Sequence, residues 1–232
     1  MENSAARPAS VWQRFCGVLW NPRQTLEEII SRPNWGLALL IITIINIGFT
    51  LLTLPKLKVF MLETIQRQAQ QNPALNSTQM SDMAAVSGLV GAVIGAALVP
   101  AFTCLLFALL LKLFNLFAAE KIPLRRFYAV SVYSYTPLLL TLLIHTLVVL
   151  LSAHPDFTAS PSSLYAFFPA GAGGFAANLA KQVDPFLLWS IFLNALGGSL
   201  LMRKPVRSTA CYLFILWAVY AVIIASRMPA LS

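Results

Sequence analysis

Six stretches of this chain, 33–55, 83–111, 127–155, 157–180, 185–202 and 208–226, pass without a single Asp, Glu, Lys or Arg. A helix needs about 20 mostly apolar residues to cross the hydrocarbon core of a bilayer, so stretches of this length decide the fold class before any motif does. One of the six does not qualify. The stretch 157–180 holds Pro161, Pro169, Gly171, Gly173 and Gly174 among serines, and irregular backbone exposed to lipid leaves its polar groups unsatisfied. It reads as a loop outside the membrane. Five spans remain, expected at about 37–54, 84–111, 127–152, 186–202 and 209–226. The composition agrees: 58% hydrophobic and 10% charged residues, against roughly half and a quarter in soluble domains. The chain is expected to be all-α, a polytopic membrane protein with residues 1–36 as an N-terminal amphipathic interfacial segment and 37–232 as a five-helix membrane domain.

Charge placement orients the spans. Eleven of the sixteen Lys and Arg residues lie in the N-terminal segment and in the second-to-third and fourth-to-fifth connections (Arg7, Arg14, Arg23, Arg32; Lys112, Lys121, Arg125, Arg126; Arg203, Lys204, Arg207), and five lie on the other side. Basic connections stay inside, which places the N-terminus in the cytoplasm and the C-terminus outside. The opening residues show no signal pattern, so the first span is expected to stay as an anchor. The formal charge of +8 is spread over span ends rather than gathered in one patch. It points to headgroups and topology, not to nucleic acid. Cys16, Cys104 and Cys211 show no CxxC or Cys/His spacing, so neither a disulfide framework nor a metal site is implied. No cofactor motif is present.

The N-terminal segment reads as amphipathic helix. Asn21 suits an N-cap, Pro22 the first helical position and Gln24 a capping box. Leu26, Ile29 and Ile30 then share a face apart from Glu27 and Glu28, and Pro33 ends the run. Upstream, Val11, Phe15, Val18 and Leu19 keep the same period. Trp12, Trp20 and Trp35 suit the membrane interface. Such a segment can lie on lipid, dock under the bundle or receive a partner.

Within the spans, Gly88, Gly91 and Gly95 belong to small-residue stripes that let helices approach closely, inside the chain or against a second copy. Pro100 and Pro137 are expected to kink their helices. Tyr128, Tyr133 and Tyr135 follow Arg125 and Arg126 like an interfacial belt. His145 lies deep in the third span without an intramembrane carboxylate to relay protons to, so a hydrogen-bonded structural role is the simpler reading. Asn46 and Asn194 read as interhelical glue. Asp184 stands before Pro185, with Phe186 and Trp189 in the first turn, and is expected to cap the fourth span.

Three pieces carry a family resemblance: "LWNPRQTLEEIISRPNWG" before the first span, "IPLRRFYAVSVYSYTPLLL" into the third and "VDPFLLWSIFLNALGGSLL" in the fourth. In their order and spacing the chain resembles the Yip family, the domain of Ypt/Rab-GTPase-interacting proteins, in its bacterial form. The resemblance implies a cytoplasmic N-terminus, five membrane helices, a bacterial cytoplasmic (inner) membrane location and no catalytic residue. Eukaryotic relatives are associated with Rab GTPases, vesicle traffic and membrane shaping. Two functions stay open. One is a non-enzymatic membrane organiser or adaptor, with membrane lipids and membrane or cytoplasmic proteins as partners. The other is a small transporter or lipid-handling protein using a cavity between the spans. An enzyme is disfavoured, since the chain has no phosphate loop, paired carboxylates, HExxH or GxSxG. A deep polar cavity joining Pro100, Pro137, Asn46, His145 and Asn194 would discriminate between the two.

Overall fold

The computed structural model describes residues 10–71, 78–116, 121–153, 155–169 and 171–227. The fold is 83% helical, without strands among the described residues. The described residues form nine α-helices in order: α1 Val11–Trp20, α2 Pro22–Ser31, α3 Gly36–Gln71, α4 Thr78–Asn115, α5 Leu124–Ser134, α6 Thr136–Leu151, α7 Phe175–Gln182, α8 Pro185–Met202 and α9 Val206–Arg227. Five segments are long and apolar enough to cross a membrane: Gly36–Arg67, Met83–Asn115, Leu124–Leu151 (α5 with α6), Pro185–Met202 and Val206–Arg227. These are the five expected spans.

The first two run further than the charge pattern indicated. α3 continues through Pro55 and Lys56, and α4 through Lys112. A charged residue ends a span only if its head cannot reach a partner, and both lysines reach one. Lys56 Nζ donates to the carbonyl oxygens of Leu150 (2.8 Å) and Ser152 (2.5 Å) at the end of α6, and Lys112 Nζ donates to Ile122 O at 2.5 Å.

The third span is broken rather than merely kinked, and the local chemistry explains where. Pro137 has no N–H to give to Tyr133 O, four residues back. The Thr136 hydroxyl takes that carbonyl instead at 2.6 Å, and α5 stops at Ser134 before α6 begins at Thr136. Pro100, by contrast, sits inside an unbroken α4.

The shortest span is the central one. Some 61% of α8 is buried, against 17–33% of the apolar 18-residue stretch within each of the other four spans, and it packs on α2, α5, α6 and α9. Gly197 and Gly198 make this possible: a Cβ on the first would collide with Val130 of α5, and on the second with Leu111 of α4. α8 ends at Arg203, which takes the left-handed conformation (φ 51°) while Lys204 N closes onto Ser199 O at 3.0 Å. Pro205 follows, so the helix cannot resume.

The stretch 157–180 is more ordered than a loop. It contains a 3-10 turn, Leu164–Phe167, and α7, which starts at Gly174 (φ 89°) and packs on α9. Tyr165, Ala177 and Ala180 form a small second core there, and the Lys181 ammonium lies 4.6 Å over the Tyr165 ring. Two small apolar residues on one side of an eight-residue helix, Ala177 and Ala180, suffice to seat it on Tyr165 of the turn, which Pro and Gly counts do not reveal.

Candidate functional site

The N-terminal segment folds as a hairpin of two helices docked into the bundle. α1 carries a full capping box, in which Ser10 Oγ accepts from Gln13 N (3.3 Å) and Gln13 Oε1 accepts from Ser10 N (2.7 Å). The box expected at Asn21 does not form. Asn21 starts α2 without a side-chain cap, and its amide donates to the Gln24 side chain at 2.7 Å. That backbone already closes α1, with Asn21 N on Gly17 O, so its conformation (φ −136°, ψ 67°) is not free to aim the side chain at its own helix.

Phe15, Leu26 and Ile29 are buried and Ile30 is half-buried, packed against α5 and α8. Burying Leu26 and Ile29 contributes about 1.5–3 kcal/mol each. Arg14, 4% exposed, pairs with Glu28 at 3.1 Å and ties α1 to α2. Glu28 is therefore turned to Arg14 rather than simply solvated. Trp12 and Trp20 remain outside, 61% and 88% exposed. The hairpin also changes the tyrosine belt. Tyr133 is fully buried, meets the Phe15 ring at a tilt of 51° (centroids 5.5 Å) and donates to Asn34 O at 3.0 Å, and Tyr135 is buried as well. Tyr133 is covered by α1 and the α2–α3 connection, and Tyr135 faces inward between α3, α4 and α6, so neither forms part of a headgroup belt.

At the opposite end of the bundle, Asp184 does more than cap. Its Oδ1 accepts from Phe186 N (2.8 Å) and Leu187 N (3.2 Å), the cap expected before Pro185. The same oxygen accepts from Thr141 Oγ1 of α6 (3.3 Å), while Oδ2 accepts from Ser160 Oγ (3.2 Å) and from Ser162 Oγ. The carboxylate is 5% exposed and fastens three elements: the start of α8, the middle of α6 and the serine-rich turn at 160–162. Trp189, one turn on, is 47% exposed and takes no part.

Two of those donors, Thr141 and Ser160, also line a cavity of about 460 Å³ between α3, α4, α6 and the segment 157–160. Its other walls are Asn46, Val99, Thr103, Tyr135, Leu138, Leu142, His145, Phe157, Thr158 and Ala159. From Tyr135 to His145 the wall follows ten residues of α6, a length of about 15 Å. His145 is the tenth of the sixteen residues of α6 and half-buried, with its ring edge-on to Phe157 at 5.8 Å. Because the span starts at Leu124 with the short helix α5, His145 falls beyond its middle.

The cavity thus joins Asn46 and His145, and touches the residues beside Pro100 and Pro137, but not Asn194. Asn46 Nδ2 donates to Ile42 O at 2.9 Å within its own helix and the side chain also stands within hydrogen-bonding reach of Tyr135 in the third span, whereas Asn194 Nδ2 donates to Ser190 O at 2.9 Å and bonds to no other helix among the described contacts. A polar side chain four residues from a carbonyl on its own helix finds that acceptor first. The interhelical bond is made instead by Ser190, whose hydroxyl donates to Ser134 O at 2.8 Å. Of the small-residue stripe, Gly88 packs on Met61 of α3, whereas Gly91 and Gly95 meet nothing within 4 Å. Among the described residues, no three His, Cys, Asp or Glu side chains are grouped as metal ligands.

The partners of Asp184 went unnoticed in the sequence, although a serine cluster at 160, 162 and 163 upstream of a lone capping acid was the available signal. The Ser10–Gln13 box was equally legible and equally missed. Compared with known proteins, the chain matches the family model described as Yip1 domain over residues 16–227. No curated protein and no solved structure matches it significantly.

Proposed function

Because the chain belongs to the Yip1-domain family of integral membrane proteins, we propose that it is a non-enzymatic membrane organiser or adaptor, in the bacterial form of the family. In this reading it sits in a bacterial cytoplasmic membrane with the α1–α2 hairpin on the cytoplasmic side. The observation that carries it is the partition of the hairpin. One face, with Leu26 and Ile29, is locked into the body, and Trp12 and Trp20 are left exposed on the other. Indoles held rigidly beside a span are suited to interfacial lipid or to a partner segment, and their fixed position gives the body a defined grip on what surrounds it.

Reconstitution into vesicles tests this. The parent protein is expected to cluster or deform vesicles, and Leu26→Glu with Ile29→Glu, which places two charges on the docking face while leaving every span intact, is expected to insert without doing so. Vesicles carrying parent protein that cannot be told from vesicles carrying the variant would refute the reading.

A second reading, lipid handling, is favoured by the cavity below Asp184. At about 460 Å³ it lies within the range of small-molecule sites, about 300–1,000 Å³, and its walls are apolar with a few polar groups.

A further inference from the structure

We propose that the cavity between α3, α4 and α6 holds a neutral, hydroxyl-bearing lipid of the diacylglycerol kind, with its hydroxyl at His145 and its chain running toward Tyr135. The inference rests on the lipid-handling reading and names the ligand class. It starts from charge. None of the residues lining the cavity is Lys or Arg. The carboxylate fastened to two of its wall residues, Thr141 and Ser160, belongs to Asp184, and a second carboxylate, Asp156, caps Thr158 N at 2.7 Å. Of the cations in the second half of α3, Lys56 is engaged by the carbonyl oxygens of Leu150 and Ser152, and neither Lys58 nor Arg67 lines the cavity. A phosphate entering here would lose water, meet no cation and approach two carboxylates, which is unfavourable in a site of low dielectric.

Hydrogen-bonding capacity then says which end holds the polar group. At the inner end Asn46 already donates to Ile42 O and stands within hydrogen-bonding reach of Tyr135. At the outer end Thr141 and Ser160 are committed to Asp184. His145 makes no hydrogen bond among the described residues, and its ring contacts Phe157 only by an edge. One ring nitrogen of a neutral imidazole donates and the other accepts, which matches a hydroxyl. Between the two ends the wall is mostly apolar, with Leu142, Leu138 and Val99 flanking the lone hydroxyl of Thr103 on α4. A path for one acyl chain with one uncharged polar end fits that distribution, the second chain of the lipid remaining in the bilayer. The exposed side chain of Val99 at the rim leaves a way in from the bilayer.

The test uses the full chain in nanodiscs carrying trace photoactivatable diacylglycerol, phosphatidylglycerol or phosphatidylcholine with the same labelled acyl chain, and peptide mapping of the adducts. Adducts on the lipid-facing side of α9, at Ile215 and Val219, report bulk lipid. The diacylglycerol probe is expected to label 99–103 and 138–145 about fivefold more than phosphatidylglycerol does, relative to α9, the ratio that one neutral hydrogen bond supplies. His145→Leu is expected to remove that preference, His145→Gln to keep most of it, and Leu138→Trp, which fills the cavity, to lower labelling by every probe. Thermal melting of each variant separates loss of ligand from loss of fold, and Leu142→Phe serves if Leu138→Trp melts early. Preferential labelling of the cavity by phosphatidylglycerol or phosphatidylcholine would overturn the neutral-lipid inference while leaving lipid handling in place. Cavity labelling that only tracks α9 for all three probes would overturn both.

Discussion

Removing the Asp184 carboxylate should cost several times what the loss of a helix cap costs, and the difference can be worked out. Asp184→Ala takes the acceptor from two first-turn N–H groups, a loss of about 1 kcal/mol for an N-cap. It also strands the hydroxyls of Thr141, Ser160 and Ser162. Ser160 and Ser162 stand 2.9 Å apart and can satisfy one another in part, which leaves about two orphaned donors at 1 kcal/mol or more each. The expected total is about 3 kcal/mol. Asp184→Asn keeps the cap. Its amide occupies the position of Oδ2, where both serine hydroxyls can turn to accept, so only charge assistance is lost, about 1 kcal/mol. At this chain length each kcal/mol moves the melting midpoint by about 2–4 °C. The assay is thermal melting in detergent together with limited proteolysis at 155–163, which should open in the Ala variant alone. Coupling makes the reasoning refutable: with Ser160→Ala and Ser162→Ala already present, Asp184→Ala should cost about 1 kcal/mol less. If that cost is unchanged, or if Asn and Ala lose the same amount, the carboxylate is not a clamp. An Asn variant that melts like the parent yet fails in the cell as a deletion does would mark Asp184 as a functional acid instead.

The orientation is checked with a reporter active only in the cytoplasm, which should work when fused between Arg203 and Arg207 and fail when fused after Ser232, because basic connections stay inside. Gly197→Ala should destabilise by about 1–3 kcal/mol, as its Cβ collides with Val130, the usual range for overpacking. Gly91→Ala, with nothing within 4 Å, should be neutral or stabilise by up to about 1 kcal/mol through helix propensity. A Gly91→Ala loss as large as that of Gly197→Ala would mean that a second copy of the chain packs there. In the hairpin, Leu26→Glu with Ile29→Glu should expose residues 11–32 to protease while the spans stay protected, and unchanged protection would count against docking.

The spans were legible because lipid imposes one rule on every residue of a stretch, so an average over 20 residues suffices. What was lost depends on single side chains. Lys56 and Lys112 looked like span ends, yet each reaches a carbonyl on another segment, and no local count shows that carbonyl. The broken third span was half visible: Pro137 announced a missing donor, but that Thr136 would supply it and let α6 restart depends on the rotamer. Asp184 as a cap was legible from Asp-Pro, since cap and helix are neighbours in sequence. Its three hydroxyl partners lie 22 to 43 residues away, a separation that only the packing of α6 against α8 closes. The cavity is harder still. Asn46, Thr103 and His145 come from three spans, and no periodicity within one helix says which faces will meet.

The two candidate regions lie at opposite ends of one helix, and this bears on how they act together. α8 is held at its start by Asp184, through Thr141 to α6 and through the serines to the outer segment. Toward its other end, a Cβ on Gly197 would collide with Val130 and come into ordinary contact with Leu26, so α8, α5 and the hairpin meet at one point. Close-packed contacts of this kind resist continuous deformation. A tilt of α8 that moved Asp184 by an ångström would shift Thr141, a wall of the cavity, and would also move Gly197 against Val130, beside Leu26, the residue that docks the hairpin. Occupancy of the cavity and the seating of the hairpin should therefore be measured in the same samples. Protease protection of 11–32 that rises when the cavity is filled by lipid would establish a coupling that α8 is placed to carry, and equal protection with and without lipid would leave the two ends mechanically independent.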